Sequence, residues 1–212
     1  MFQTSLRQLD LSSEWVDFQV QNGEFPERPE AFDYYLCCGS ANSVYDGAPW
    51  IEHLIEFVRR VDETKSRMVG ICFGHQLIAQ ALGGRVEQAE QGWGLGNQSG
   101  ETLFIPSWMR SAKNGVNMLY SHQDQVVKLP DNARLLMHTE HCPNAAFLIT
   151  DRFLTFQGHP EFTPGYLDAL MESRRDRIGS ETVDRAKRTL SKGLHLHNRQ
   201  VMGWIADFLQ AS

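Results

Sequence analysis

Several features that mark whole classes of protein are missing from this sequence or scarce in it. No apolar run approaches the ~20 residues of a membrane helix, and the first ten residues lack the basic-then-apolar pattern of a secretory signal. With 20 Lys and Arg against 26 Asp and Glu, and no cluster of either cation, nucleic acid is not an expected partner. The few cysteines show neither zinc-site spacing nor the density of secreted domains, and they are Cys37, Cys38, Cys72 and Cys142. These absences predict a cytoplasmic protein with reduced thiols, no membrane segment and no bound metal.

The 212 residues alternate between apolar runs and amphipathic stretches, a pattern typical of an α/β fold. We predict one domain over residues 1–212, with no internal repeat and no linker. Helices are expected over residues 2–9, 50–61, 73–82, 163–177 and 182–209. Strands are expected over residues 14–20, 32–38 and 68–72, and shorter strands and turns over residues 85–156.

The segment Gly-Ile-Cys-Phe-Gly at residues 70–74 joins a short apolar strand to an amphipathic helix. This strand–turn–helix context is typical of a nucleophile elbow, with cysteine in place of serine. An elbow would put Cys72 at a helix N-terminus, where free N–H groups stabilise a thiolate, and the N–H of Phe73 could hold an oxyanion. The alternative is a buried cysteine at the end of a strand, flanked by ordinary turn glycines.

A cysteine nucleophile needs a base, and His159 is the histidine that ends an apolar run, at residues 153–156. The ends of parallel strands are where α/β folds gather their active sites. Glu161 lies two residues later, on the same side of an extended chain, so it could orient the imidazole. A histidine alone at such a position is more often structural, but with Cys72 and Glu161 it becomes a candidate triad.

Together these motifs resemble the class I, triad-type glutamine amidotransferases. The resemblance rests on the cysteine block at residues 70–76, the Ala-Leu-Gly-Gly that follows it, and Gln-Gly-His-Pro-Glu-Phe at residues 157–162. Residues 120–126 are similar to the Ser-His-x-Asp-x-Val segment of the amidotransferase domain of GMP synthetase. Cys38-Gly39-Ser40 falls where the family carries its glycine-rich oxyanion loop.

The resemblance implies a flavodoxin-like, open, mostly parallel mixed sheet flanked by helices, and a reaction that needs no cofactor. Cys72 would attack the side-chain amide of glutamine or of a γ-glutamyl compound. His159 would move the proton, and Glu161 would orient the imidazole of His159. The N–H groups of Gly39 and Phe73 would form the oxyanion hole. The substrate-binding positions carried over from the family are Gln76, Ser121 and His122. For Gln76 capping or packing is the alternative, and for the other two a turn.

The sequence departs from the family in two places. The oxyanion loop reads Cys-Gly-Ser-Ala-Asn at residues 38–42 instead of Gly-Gly-Pro or Gly-Ser-Pro, which leaves Gly39 and Ser40 both open as the donor. Family members open with an apolar strand, whereas this sequence begins in what resembles the helix that follows it. We interpret this as a start upstream of Met1, or as a sheet that lacks its first strand.

The expected function is hydrolysis of a small-molecule substrate, glutamine or a γ-glutamyl compound, through a γ-glutamyl thioester. Stand-alone relatives of this size include GMP-synthetase-like amidotransferases and γ-glutamyl peptidases. The alternative is a catalytically idle or partner-dependent subunit that supplies or regulates a separate synthase. A flavodoxin-like peptidase or chaperone is a weaker alternative, because Phe73 rather than histidine follows Cys72. Basic residues at 174–188 could form a partner surface, although such a run is usually a solvated helix face.

Overall fold

The computed structural model describes residues 1–7, 13–109, 115–191 and 195–211, and its centre is a mixed sheet of seven strands. A separate pair of strands, Arg85–Gln88 and Asp124–Lys128, forms a small antiparallel sheet. The strands in chain order are β1 (Tyr34–Cys37), β2 (Arg67–Ile71), β3 (Arg85–Gln88), β4 (Gly94–Thr102), β5 (Val116–His122), β6 (Asp124–Lys128), β7 (Ala133–Thr139), β8 (Ala146–Ile149) and β9 (Phe153–Phe156). The large sheet has the order β1-β2-β9-β8-β7-β4-β5.

Helices precede, cross and follow this sheet. They are α1 (Phe2–Arg7), α2 (Pro49–Asp62), α3 (Phe73–Ala81), α4 (Pro164–Ser173), α5 (Arg175–Ile178), α6 (Ser180–Ser191) and α7 (Asn198–Gln210). Two short 3-10 turns lie at Val20–Asn22 and Pro29–Ala31. No helix among the described residues is long and apolar enough to cross a membrane.

The expected α/β class, a mixed sheet flanked by helices, is confirmed, but its parallel part is smaller than expected. Strands β1, β2, β9, β7 and β5 run in one direction, and β8 and β4 run in the other. Between neighbours, however, only β1–β2 and β2–β9 are parallel, and the other four pairs of this sheet are antiparallel. A parallel neighbour needs a crossover such as α2, whereas the strands after β6 follow one another through short turns.

Alternate residues of the central strands face two separate cores. Val69 and Ile71 of β2 pack on the side of α1 and α7, whereas Met68 packs on the side of α2 and α3. A third apolar cluster joins β4 and β5 to the C-terminal helices α4 to α6. The sheet therefore has helices on both faces, and the ends of β2 and β9 are held from both sides. The assignment of residues 1–212 to one domain stays a prediction.

The outer edge of β1 differs from the sequence-based expectation. The predicted strand at residues 14–20 is wrong: residues 13–19 have no regular structure, and the 3-10 turn Val20–Asn22 follows. A cleft of about 720 Å³ separates this segment from β1, and in the described part of the chain no strand pairs with that edge. The alternation of apolar residues was real, but a strand also needs a backbone partner. This segment contacts β1 through side chains instead: the hydroxyl of Ser13 bonds that of Tyr34, and the ring of Trp15 packs on the same tyrosine.

The C-terminal third is more broken than expected. The predicted helix over residues 163–177 divides at Arg174 into α4 and α5, and the prediction over residues 182–209 gives two helices, α6 and α7. Between them His197 is neither helical nor extended, with φ −100° and ψ 23°. Its N–H donates to the carbonyl of Asn117 (2.9 Å), and the N–H of Asn117 donates to its Nδ1 (3.0 Å), so His197 ties the chain to the start of β5. Part of the predicted first helix, at residues 8 and 9, lies outside the described residues.

Candidate active site

Cys72 lies between the end of β2 and the first residue of α3, as the elbow pattern predicts. Its backbone has φ 53° and ψ −103°, a conformation that residues with a Cβ rarely adopt and that costs of order 1–3 kcal/mol. Two backbone hydrogen bonds hold it there: its N–H donates to the carbonyl of Phe156 (2.9 Å), and its carbonyl accepts from the N–H of Gln76 (3.1 Å). The turn thus presents a buried sulfur where β2 and β9 end.

The two glycines of the elbow are required by space. A Cβ on Gly70 would lie 2.5 Å from the carbonyl oxygen of Gly74. A Cβ on Gly74 would overlap the carbonyl oxygen of Cys37 and lie 2.8 Å from its carbonyl carbon. Real Cβ atoms do not approach backbone so closely, so helix α3 can pass this near to β1 and β2 only where glycine stands. The two glycines are therefore more than ordinary turn residues.

His159 and Glu161 follow β9 and are hydrogen-bonded to each other. The Nδ1 of His159 lies 2.7 Å from the Oε1 of Glu161, and both side chains are about 95% buried. The imidazole stacks on the ring of Phe162, with centroids 3.8 Å apart and planes 6° from parallel. The N–H of His159 donates to the carbonyl of Leu119 (2.8 Å), so the segment after β9 is fixed against β5. The ring therefore has one defined orientation.

Cys72 is the other neighbour of this imidazole. Burial by itself lowers the pKa of His159, but the charge of Cys72, a hydrogen bond to it and the bonded carboxylate of Glu161 outweigh burial and raise the pKa to about 10. The site therefore favours an imidazolium between a sulfur and a carboxylate. The second carboxylate oxygen of Glu161 is buried and has no hydrogen-bond partner among the described residues.

The two proposed oxyanion donors flank the sulfur. Phe73 is the first residue of α3, so its N–H has no acceptor within the helix. Gly39 lies close to both catalytic candidates, because a Cβ built on it would be 3.2 Å from the Cε1 of His159 and 3.8 Å from the Cβ of Cys72. The N–H of Gly39 has no acceptor in the described part of the chain. The arrangement can hold a negative oxygen between these amides.

The three carried-over substrate residues are buried beside the elbow in different ways. The side-chain amide of Gln76 donates to the backbone carbonyl of Asp124 (2.7 Å) and to the Oε1 of Gln157 (2.9 Å), so its N–H groups are already used. The hydroxyl of Ser121 is buried and unpartnered among the described residues. His122 has its Nδ1 3.0 Å from the carbonyl of Asp124, and burial followed by the charge of His141 lowers its pKa to about 3.

Two cavities meet at Cys72. The smaller one, about 50 Å³, is lined by polar residues that include Gln76, His122 and Asp124. The larger one, about 370 Å³, is lined by Gly39, His159, Glu161 and a largely apolar wall. Residues common to both cavities are Ser40, Ala41, Cys72, Ser121 and Arg174. The nucleophile candidate is thus open to ligands from two sides.

Sequence reasoning did not identify three charged or aromatic residues at these cavities. Asp124 binds the hydroxyl groups of Ser43 and of Tyr45 (2.8 Å), and it thereby holds the loop that follows Gly39. Trp93 lines the smaller cavity beneath the guanidinium of Arg177. Arg174 was grouped with a solvated run of cations, but it lies half-buried at both cavities. Asp124 was inside a recognised segment, whereas nothing in the pattern distinguished Arg174 from Arg175.

The described residues contain no group of three or more His, Cys, Asp or Glu side chains that could hold a metal ion. His75, the residue three positions after the sulfur, packs on Phe147 and hydrogen-bonds Thr155 (2.9 Å). The thiol, imidazole and carboxyl side chains of Cys72, His159 and Glu161 are of types suited to acid–base and nucleophilic chemistry.

The sequence is similar to those of known proteins. The family model for class-I glutamine amidotransferases matches residues 2–175. A γ-glutamyl peptidase of Arabidopsis thaliana is 34% identical over 160 residues, which are 72% of this chain and 64% of that protein. A glutamine-hydrolysing GMP synthase of Gloeobacter violaceus is 32% identical over 74% of this chain and 27% of its own length. The chain thus spans less than two thirds of the length of either relative.

A solved structure is similar over the whole chain. The crystal structure of a glutamine amidotransferase from Thermotoga maritima superposes with a TM-score of 0.78, covering 100% of this chain and 92% of that one at 19% identity. At that identity the likeness concerns the fold, and the sequence matches carry the family assignment. The resemblance drawn from the motifs is confirmed, and the chain belongs to the class-I glutamine amidotransferase family.

Proposed function

We propose that this chain hydrolyses the side-chain amide of glutamine or of a γ-glutamyl compound through a triad of Cys72, His159 and Glu161. The observation that carries the proposal is the convergence of three features: a sulfur on a strained elbow, an imidazole that lines the same cavity as that sulfur, and a carboxylate 2.7 Å from that imidazole. The names of the relatives, which include peptidases acting on γ-glutamyl groups and a glutamine-hydrolysing synthase, support the same chemistry.

In the first step the sulfur of Cys72 attacks the amide carbon, and a C–S bond forms. The amide oxygen becomes negative and accepts hydrogen bonds from the N–H groups of Gly39 and Phe73. His159, protonated in the resting pair, gives its proton to the amide nitrogen, and the C–N bond breaks. Ammonia or an amine leaves, and a γ-glutamyl thioester remains on Cys72.

In the second step water attacks the thioester. His159 is now neutral, so it accepts a proton from the water while the C–O bond forms. The C–S bond then breaks, which releases the γ-carboxylate product and restores the sulfur beside the imidazolium. Glu161 keeps the Nδ1–H of the ring directed towards itself, so that Nε2 faces the reacting atoms throughout.

The first test compares the purified chain with its Cys72→Ala variant on glutamine and on γ-glutamyl dipeptides, by release of ammonia or amine. We expect the variant to lose activity by at least about 10³-fold. Cys142→Ala is the matched control, because that cysteine is buried and lines neither cavity. A folded wild-type chain that releases nothing from any of these compounds would contradict the proposal, as would activity that survives in Cys72→Ala.

A partner-dependent amidotransferase is the second candidate, since the match to the GMP synthase covers 27% of that protein. In that case hydrolysis of glutamine would rise when a synthase subunit is added, and Cys72→Ala would still abolish it. A small-molecule substrate, independence of cofactors and a cytoplasmic location remain part of the proposal. Gln76, Ser121 and His122 are proposed to shape the smaller cavity, Gln76 by holding Asp124 and Gln157.

A further inference from the structure

The larger cavity lies on the side of Cys72 where the leaving group departs. His159, which gives its proton to the leaving nitrogen in the proposed reaction, lines the larger cavity and not the smaller one. The amine must therefore sit in the larger cavity when it receives that proton. A volume of about 370 Å³ is in the range of pockets for small organic ligands, and ammonia, about the size of a water molecule, would leave nearly all of it empty.

One stripe of helix α4 and its end forms a wall of this cavity. Tyr166, Leu170 and Arg174 are spaced four residues apart, which places them on one face of a helix. All three line the larger cavity, together with Phe162. The wall is thus apolar along most of its length and ends in a cation.

Arg174 has no ion pair among the described residues, whereas its neighbour Arg175 has two. Arg175 binds the carboxylates of Glu172 (2.7 Å) and Asp184 (2.9 Å), which close off its guanidinium. Arg174 is half-buried and lines the larger cavity, and among the described residues no carboxylate of that lining pairs with its guanidinium. A guanidinium in this position is suited to a bidentate pair with a carboxylate from a ligand.

The lining of the smaller cavity carries charges of both signs, as the γ-glutamyl end of a substrate does. That end carries an ammonium and a carboxylate, and the smaller cavity is lined by Asp124 and Arg177, which lie outside the larger one. Arg174, which reaches both cavities, is the additional cation. Its partner would be a second carboxylate, on the part of the substrate that occupies the larger cavity.

We therefore propose that Arg174 binds a carboxylate on the leaving amine, and that the preferred substrates are γ-glutamyl compounds whose leaving amine has an apolar body and a carboxylate. This inference rests on the proposed amide hydrolysis. It assigns Tyr166 and Leu170 to the apolar body and Arg174 to the charge. A γ-glutamyl dipeptide with an apolar second residue has this chemistry, and glutamine does not.

The test uses three substrates: γ-glutamyl-phenylalanine, γ-glutamyl-anilide, which has an aromatic leaving amine without a carboxylate, and glutamine. We expect Arg174→Gln to lower the ratio of kcat/KM for the dipeptide to that for the anilide by roughly 10-fold to 100-fold, the range for a lost charge-assisted bond. Arg174→Lys should restore part of the ratio. Arg60→Gln, which removes an exposed cation from α2, is the charge-matched control and should leave the ratio unchanged.

The outcomes separate the two proposals. If Arg174→Gln lowers kcat/KM equally for all three substrates, Arg174 binds the γ-glutamyl carboxylate and the inference is overturned. If it changes none of them, or if the wild type prefers glutamine to the dipeptide, the inference is also overturned while the hydrolase stands. If the wild type cleaves none of the three compounds, the proposed function fails, and the inference fails with it.

Discussion

Strand β1 is closely packed on one side and faces a cleft on the other. Its inner side pairs with β2 in a parallel ladder, and helix α3 approaches so closely that no Cβ fits on Gly74. Its outer edge faces a cleft of about 720 Å³ and has no strand partner among the described residues. Both sides belong to the same four-residue strand, so the difference lies in which groups each side holds in place.

The inner side of β1 holds groups of the proposed active site in place. Gly39 follows β1, Cys72 follows β2, and the close approach of α3 fixes the distance between the two. Small displacements there would move Gly39, the proposed oxyanion donor, relative to the sulfur, and for the proposed reaction such errors would cost activity steeply. The cleft at the outer edge also reaches Gly39 and Phe73, but no strand pairs with β1 there among the described residues. In β1, close backbone packing is therefore found on the side of β2 and α3.

The substitution Gly74→Ala should have the largest effect on the closely packed side of β1. The added methyl group would overlap the backbone of Cys37, so we expect the free energy of unfolding to fall by about 3 kcal/mol or more. Gly203→Ala in α7 is the matched control, since its Cβ would meet nothing within 4 Å, and it should raise stability by about 1 kcal/mol. Urea denaturation curves measure both, and equal effects would contradict the contrast.

Protonation tests the inner side in a second way, because His75 is fully buried in α3, the helix that packs there. Burial lowers the pKa of His75 to about 3, from an ordinary value of 6.5. The unfolded chain then binds a proton below pH 6.5 that the folded chain does not, so stability is full above that pH and falls as pH decreases. By pH 5 the loss is about 2 kcal/mol per such histidine.

The measurement is unfolding stability at pH 7 and pH 5 in the wild type, His75→Gln and His195→Gln. His75→Gln should lose about 2 kcal/mol less than the wild type between these two pH values, whereas the exposed His195→Gln should match the wild type. His159 acts with the opposite sign, because its pKa is raised to about 10 and its contribution is lost only as pH rises from 6.5 to 10. A pH dependence that His75→Gln leaves unchanged would contradict this assignment.

The smallest expected effect lies at the outer edge itself. Val16→Ala in the segment across the cleft should change stability by less than about 0.5 kcal/mol, because that side chain is 56% exposed. The same substitution at Val69 in β2, which is fully buried, should cost about 2 kcal/mol. Thermal or urea unfolding of the two variants compares the edge with the interior, and a cost at Val16 as large as at Val69 would show that the cleft is packed after all.

Much of the inner side could be predicted from the sequence. The strand and helix around Cys72 were predicted because an apolar run, a pair of glycines and a helical pattern follow one another directly. His159 and Glu161 were found for a similar reason, since two residues on an extended segment share a side. These patterns involve residues close together in the sequence. They can be read from the sequence because they do not depend on how distant segments pack.

The rest depended on contacts between distant segments. The alternation at residues 14–20 predicted a strand, but pairing depends on whether an edge lies within reach, which no local pattern reports. Asp124 holds Ser43 across 81 residues of sequence, so its role in fixing the loop after Gly39 was not visible either. Arg174 and Arg175 are adjacent and chemically identical, and only the fold places one against carboxylates and the other against a cavity.

The backbone of Cys72, with its positive φ, has a consequence for how the sequence can change over generations. Glycine is the residue that adopts this conformation without strain, so a chain with no use for a nucleophile would gain stability by exchanging Cys72 for glycine. Drift in an idle subunit would lead in that direction. A cysteine in this strained conformation is what a chain under selection for a working sulfur would carry.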